Sequence, residues 1–125
     1  MRHQAPNEKR LFWVGSSKSD LDTFPDPVKD TFGTALSAAQ FGGKHAVAKP
    51  WKGEGPGVVE IVKNFDGNAY RAVYTVHFDK AIYVLHCFQK KSHSGIKTPR
   101  IDINLIAARL KLARRDYEEK YDPKY

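Results

Sequence analysis

The chain has 125 residues, of which 41% are hydrophobic and 28% charged, and a formal net charge of +7. This is enough for one domain around one core, and it excludes a disordered chain and, with Cys87 as the single cysteine, an internal disulfide framework. No apolar stretch approaches membrane-spanning length, and the opening MRHQAPNEKR has no apolar signal core, so a cytoplasmic protein is expected.

Residues 1–9 are polar and are expected to form a flexible tail. The apolar run LFWV at 11–14 reads as a first strand, ended by Gly15-Ser16-Ser17. Ser19 or Asp20 can cap a short helix, which Pro25 and Pro27 interrupt after about one turn. A second helix begins near Asp26 with Pro27 at its first position, and Val28, Phe32, Leu36 and Ala39 recur at helical spacing until Gly42-Gly43. Residues 42–57 form a Gly/Pro-rich connection carrying Lys44, Lys49 and Lys52. Strands follow at 58–63, 69–78 and 81–89, with Asp66-Gly67 as a two-residue hairpin turn and Asp79-Lys80 as a weaker one. Thr98 caps a final helix that runs to about residue 120. The order β-α-α-β-β-β-α predicts an α+β fold, a small antiparallel sheet packed against helices. Residues 10–120 form the single domain and 121–125 a C-terminal tail.

The turns predict the pairing. Phe65 faces Asn68 in the first hairpin, and Phe78 faces Ala81 in the second. One sheet face then carries Val59, Ile61, Tyr70, Ala72, Tyr74, Val76, Tyr83, Leu85 and Cys87, the apolar side expected beneath the first helices. On the other, mixed face, Glu60, Val73 and His86 form one row and Val62, Arg71 and Phe88 the next, with Lys90 beyond. The last helix has two apolar stripes. Ile103, Ile106, Leu110, Ala113 and Tyr117 make one; Ile101, Leu105, Ala108 and Leu112 make the other, roughly opposite. One stripe packs on the sheet, and the other needs the first helices or a partner protein.

The positive charge is concentrated. Residues 89–115 hold eight Lys or Arg against the single acid Asp102, and residues 31–53 add three lysines and no acid. Such patches suit polyanions or an acidic protein partner. No phosphate-binding glycine loop, HExxH, CxxC or dinucleotide fingerprint is present, so neither a metal nor another cofactor is expected.

Arg71 stands inside a strand of aromatic and β-branched residues, AYRAVYTV. A guanidinium on a rigid strand is a bidentate clamp for a scissile phosphate, or else the structural partner of Glu60. Lys90 and Lys91 end the last strand, where they hold phosphates or transfer protons, or merely solvate the strand end. His86 is an acid or base near neutral pH, or a satisfied structural residue. Glu60 is a general base, or only the partner of Arg71. Lys49, Trp51 and Lys52 form a basic–aromatic cluster in which Trp51 stacks on a base or plugs the core. Cys87, in an apolar run, reads as a buried thiol. RNA cleavage needs no metal: a base, cations around the phosphate and an acid suffice, and Arg, Lys, Glu and His supply them.

AYRAVYTV, its partner AIYVLHCFQKK, the following TPRIDINLIAARL and the basic KPWKG before GVVEIV together resemble the RelE/ParE toxin superfamily, and within it the HigB-like, phage-derived branch. The resemblance spans roughly residues 9–115. It implies the toxin of a type II toxin–antitoxin system, a ribosome-dependent mRNA endonuclease, with the ribosome, mRNA and a helix-turn-helix antitoxin as partners. The family's strand arginine falls on Arg71 and its basic pair on Lys90 and Lys91. Lys97 and Thr98 stand where some relatives place a tyrosine, and Val62 where relatives often carry a lysine or arginine. Glu60 or His86 then fills the general-base role, with Lys49, Trp51, Lys52, Lys97 and Arg100 expected on the RNA or ribosome. The same scaffold also serves gyrase-inhibiting toxins without nuclease chemistry and non-catalytic nucleic-acid-binding modules.

Overall fold

The computed structural model describes residues 7–91 and 98–122. These residues form an α+β fold of five strands and three helices. In chain order the elements are β1 (Arg10–Trp13), α1 (Ser17–Asp22), α2 (Asp26–Gln40), β2 (Lys49–Pro50), β3 (Val58–Phe65), β4 (Asn68–Thr75), β5 (Ala81–Lys91) and α3 (Arg100–Tyr121).

The sheet order is β1-β5-β4-β3-β2, and it is mixed rather than antiparallel throughout. β1 runs parallel to β5, because α1 and α2 intervene before the chain re-enters the sheet from its far edge. The two-residue β2, absent from the expected order, pairs with Val59 and Glu60. Ser17 starts α1 two residues before the expected cap, and its buried hydroxyl donates to the Val84 carbonyl at 3.1 Å. In α2, Pro27 occupies the first turn and Val28, Phe32, Ala35, Leu36 and Ala39 face inward. Gly42 (φ 81°) reverses the chain at its end, and the amides of Gly42 and Gly43 donate to Ala39 and Ala38. Lys9, assigned from sequence to the tail, is tied to α2: its amide donates to Gln40 O at 2.6 Å.

The first hairpin has the expected register, Val58↔Thr75 through Phe65↔Asn68. Asp66 (φ 51°) and Gly67 (φ 80°) supply the two left-handed residues of its tight turn. The second hairpin follows the expected register from Asn68↔Lys91 to Val73↔His86 and then slips, so that Tyr74 faces Val84. Leu85 is the extra residue of a β-bulge. Thr75 absorbs the irregularity, its hydroxyl accepting from the Tyr83 amide at 3.0 Å.

The bulge corrects the predicted faces. Ile82, Val84 and Cys87 join Ile61, Tyr70, Ala72 and Tyr74 in the core beneath α1 and α2. Tyr83 and Leu85, expected there, lie on the opposite side with Trp51, Val58, Val73, Ile106, Leu110 and Ala113, beneath α3. The sheet is therefore the middle of three layers, with a core on each face. No helix among the described residues is long and apolar enough to cross a membrane.

Candidate nucleic-acid-binding cleft

Strand alternation sets the site. Glu60 on β3, Arg71 on β4 and Lys90 on β5 all project to the α3 face, and each lies one diagonal step from the next. Arg71 NH1 donates to Glu60 Oε1 at 2.6 Å, with the side chains 19% and 10% exposed. The structural ion pair therefore exists, and it sits where the phosphate clamp was expected. Arg71 Nε is a buried donor without a partner among the described residues, an arrangement that costs about 1–3 kcal/mol. The Lys90 ammonium is held below its ordinary value by desolvation and by the Arg71 charge, with Glu60 pulling the other way.

α3 packs over the middle of the sheet and leaves this end open. Lys49, Pro50, Trp51 and Lys52 from the β2 segment close one side, and Thr98, Arg100 and Ile103 from the start of α3 close the other. The resulting cleft of about 840 Å³ has Glu60, Arg71 and Lys90 on its floor. Seven of the predicted residues thus share one cavity: Glu60, Arg71, Lys90, Lys49, Trp51, Lys52 and Arg100. Within this lining, five cations surround one carboxylate.

One predicted residue falls elsewhere. His86 is 7% exposed beneath α3, outside the cleft lining. Its Nε2 donates to Asp102 Oδ1 at 2.7 Å, and its Nδ1 lies 3.5 Å from Arg109 NH1. Both ring nitrogens are engaged, so His86 is a structural residue of the β5–α3 interface rather than a cleft acid or base. Lys91 takes part in β5 through its backbone, opposite Asn68. Lys97 lies outside the described residues.

Trp51 is 6% exposed and belongs to the α3-side core, with its amide donating to Val58 O at 2.9 Å. It is a wall of the cleft rather than an open stacking platform. Thr98 does not cap α3: Pro99 stands at the cap position with no side-chain bond, and Thr98 lines the cleft. Cys87 is 1% exposed, and burial, aided by Asp20 and opposed by Arg109, pushes its thiol up to about 12. That is an inert core thiol.

Sequence reasoning missed Asp102 and Arg109. Arg109 donates to the Leu85 carbonyl at the bulge (2.9 Å) and to Ser16 Oγ (3.0 Å). Gly15 (φ 57°) lies against it, and a Cβ there would come within 2.8 Å of the guanidinium. The one available signal was Asp102 itself, the lone acid in a basic run. Nothing in the order of residues pointed to Arg109.

A comparison with known families matches residues 19–111 to the family described as Phage derived protein Gp49-like (DUF891). The chain belongs to the Gp49-like family. That family is phage-derived and toxin-like, and it falls within the RelE/ParE-like toxin superfamily. No curated protein and no solved structure matches the chain. The Gp49-like match covers α1 through the middle of α3, and so includes every element that builds the cleft.

Proposed function

We propose that this Gp49-like protein is the toxin of a type II toxin–antitoxin pair, of the HigB-like branch and RelE-like strand order, and that it cleaves mRNA on the ribosome without a metal. The observation that supports this most is the cleft, in which a strand arginine, a carboxylate and four lysine or arginine side chains converge. A cytoplasmic location and a helix-turn-helix antitoxin belong to the same reading.

The chemistry follows from the positions. Arg71 exchanges Glu60 for the scissile phosphate, which also frees its unpartnered Nε for a phosphate oxygen. Glu60, released, accepts the proton of the ribose 2′-hydroxyl as that oxygen attacks the adjacent phosphorus. The bond from phosphorus to the 5′-oxygen breaks, and the leaving oxygen takes a proton from the Lys90 ammonium. The products are a 2′,3′-cyclic phosphate and a 5′-hydroxyl. Lys49, Lys52 and Arg100 hold flanking phosphates.

Inducible expression of wild type and Arg71→Ala, with mapping of mRNA 5′ ends on ribosomes, tests the reading. New ends are expected in wild type, with cleavage in Arg71→Ala falling by roughly 10²–10³. Growth arrest with intact mRNA and a DNA-damage response would instead assign a gyrase-type target. The pH profile tests Lys90. A group held below 10.5 loses its proton earlier as pH rises, so cleavage falls on an alkaline limb below that value. Lys90→Arg removes the limb. An unchanged limb assigns the proton to another group.

A further inference from the structure

The outer surface of α3 carries both an apolar stripe and a basic row, and their relative direction decides what the row serves. Arg100 points into the cleft. At about 100° and 1.5 Å per residue, Lys111 lies within about 20° of Arg100 and about 17 Å further along the helix. Arg114 lies within about 40° of Arg100 and about 21 Å along. Leu105 and Leu112 stand about 120–140° away from Arg100. The basic row therefore continues the flank that borders the cleft and does not rim the apolar stripe. Lys111 and Arg114 are exposed and have no carboxylate partner among the described residues. Asp102, near the start of the helix, is taken by His86, and the exposed Glu118, about one turn beyond Arg114 on the same flank, ends the basic row. Arg115, equally exposed, stands about 60° from Arg100 on the side of the apolar stripe, and it lines a groove there with Phe12 and Leu112.

We propose that the cleft is one end of a longer single-strand RNA track, which leaves past Arg100 and runs along α3 over Lys111 and Arg114. The inference rests on the reading of the cleft as an RNA site. An acidic protein helix is the less favoured occupant, because Leu112, the exposed leucine that it would cover, stands about 120° around the helix from Arg100.

The test is binding of fluorescein-labelled oligouridylates of about 5 and about 15 nucleotides to the purified full chain, across a salt series. Lys111→Ala/Arg114→Ala is expected to leave the short oligomer unchanged and to weaken the long one roughly tenfold at low salt. The slope of log K against log salt for the long oligomer drops by about 1.4, for two lost phosphate contacts. Arg115→Ala removes the same kind of charge from the side of the apolar stripe and changes neither oligomer. All three positions are exposed, so thermal midpoints are expected to match wild type and confirm folding. Equal weakening of short and long oligomers, a length gain that survives the double variant, or an equal effect of Arg115→Ala would overturn the track. So would poly-glutamate binding that depends on Lys111 and Arg114 while RNA binding does not. If wild type binds neither oligomer, or Arg71→Ala leaves short-oligomer binding intact, it is the RNA reading of the cleft itself that fails.

Discussion

The two faces of the sheet are built from the same alternating strands, yet they end up as different kinds of surface. Beneath α1 and α2 the packing is closed and apolar: Phe24 meets Tyr70 at 4.9 Å and Phe32 at 6.2 Å between ring centres, and Val28, Phe32, Ala35, Ile61, Ala72 and Ile82 are fully buried. Beneath α3 the core is apolar only at its middle and far end, where Ile106, Leu110 and Ala113 meet Tyr83 and Leu85. At the near end it gives way to Glu60, Arg71, His86 and Asp102. Two helices joined by a short turn blanket one face. A single straight helix crosses the other at one place, and the uncovered end is where charge is retained. The cleft is the part of the second face that the fold leaves unroofed.

Three substitutions break or sharpen that contrast. Phe32→Ala has the largest expected effect on stability, a loss of about 3–5 kcal/mol by denaturant unfolding, because the closed side cannot collapse around the cavity. Asp102→Ala comes next. It leaves the buried His86 Nε2–H without an acceptor, for a loss of about 1–3 kcal/mol, and loosens the first turn of α3 that carries Arg100. Hydrogen exchange should show that loosening in α3 and not in α2; equal changes in both would mean the two faces unfold as one unit. Leu112→Ser is the smallest, within about 0.5 kcal/mol, since Leu112 is 54% exposed. A loss like that of a core leucine would show that its stripe is covered in solution.

Much of the site was legible before the fold was known. Asp66-Gly67 imposes a two-residue turn, the turn sets the register of β3 and β4, and the period of two then places Glu60 and Arg71 on one face. Lys90 follows because the second hairpin keeps its register up to Val73↔His86. The bulge at Leu85 lies beyond that point, so it exchanged Tyr83 and Leu85 for Ile82 and Val84 without moving a charged residue. It was invisible because all four side chains are apolar and both faces are buried, so alternation carries no information there.

α2, the first hairpin and the shared face of Glu60, Arg71 and Lys90 can be read from the order of residues. Each depends on local rules: a helical period, a turn that demands left-handed residues, and a strand period of two. Long-range packing sets the rest: α3 buries the Ile106–Leu110 stripe and exposes Leu112, Trp51 is a wall, and His86 serves Asp102 instead of the cleft. Those outcomes turn on which face of the sheet α3 crosses and at what height. That is a contact between segments far apart in the chain, and no local period encodes it.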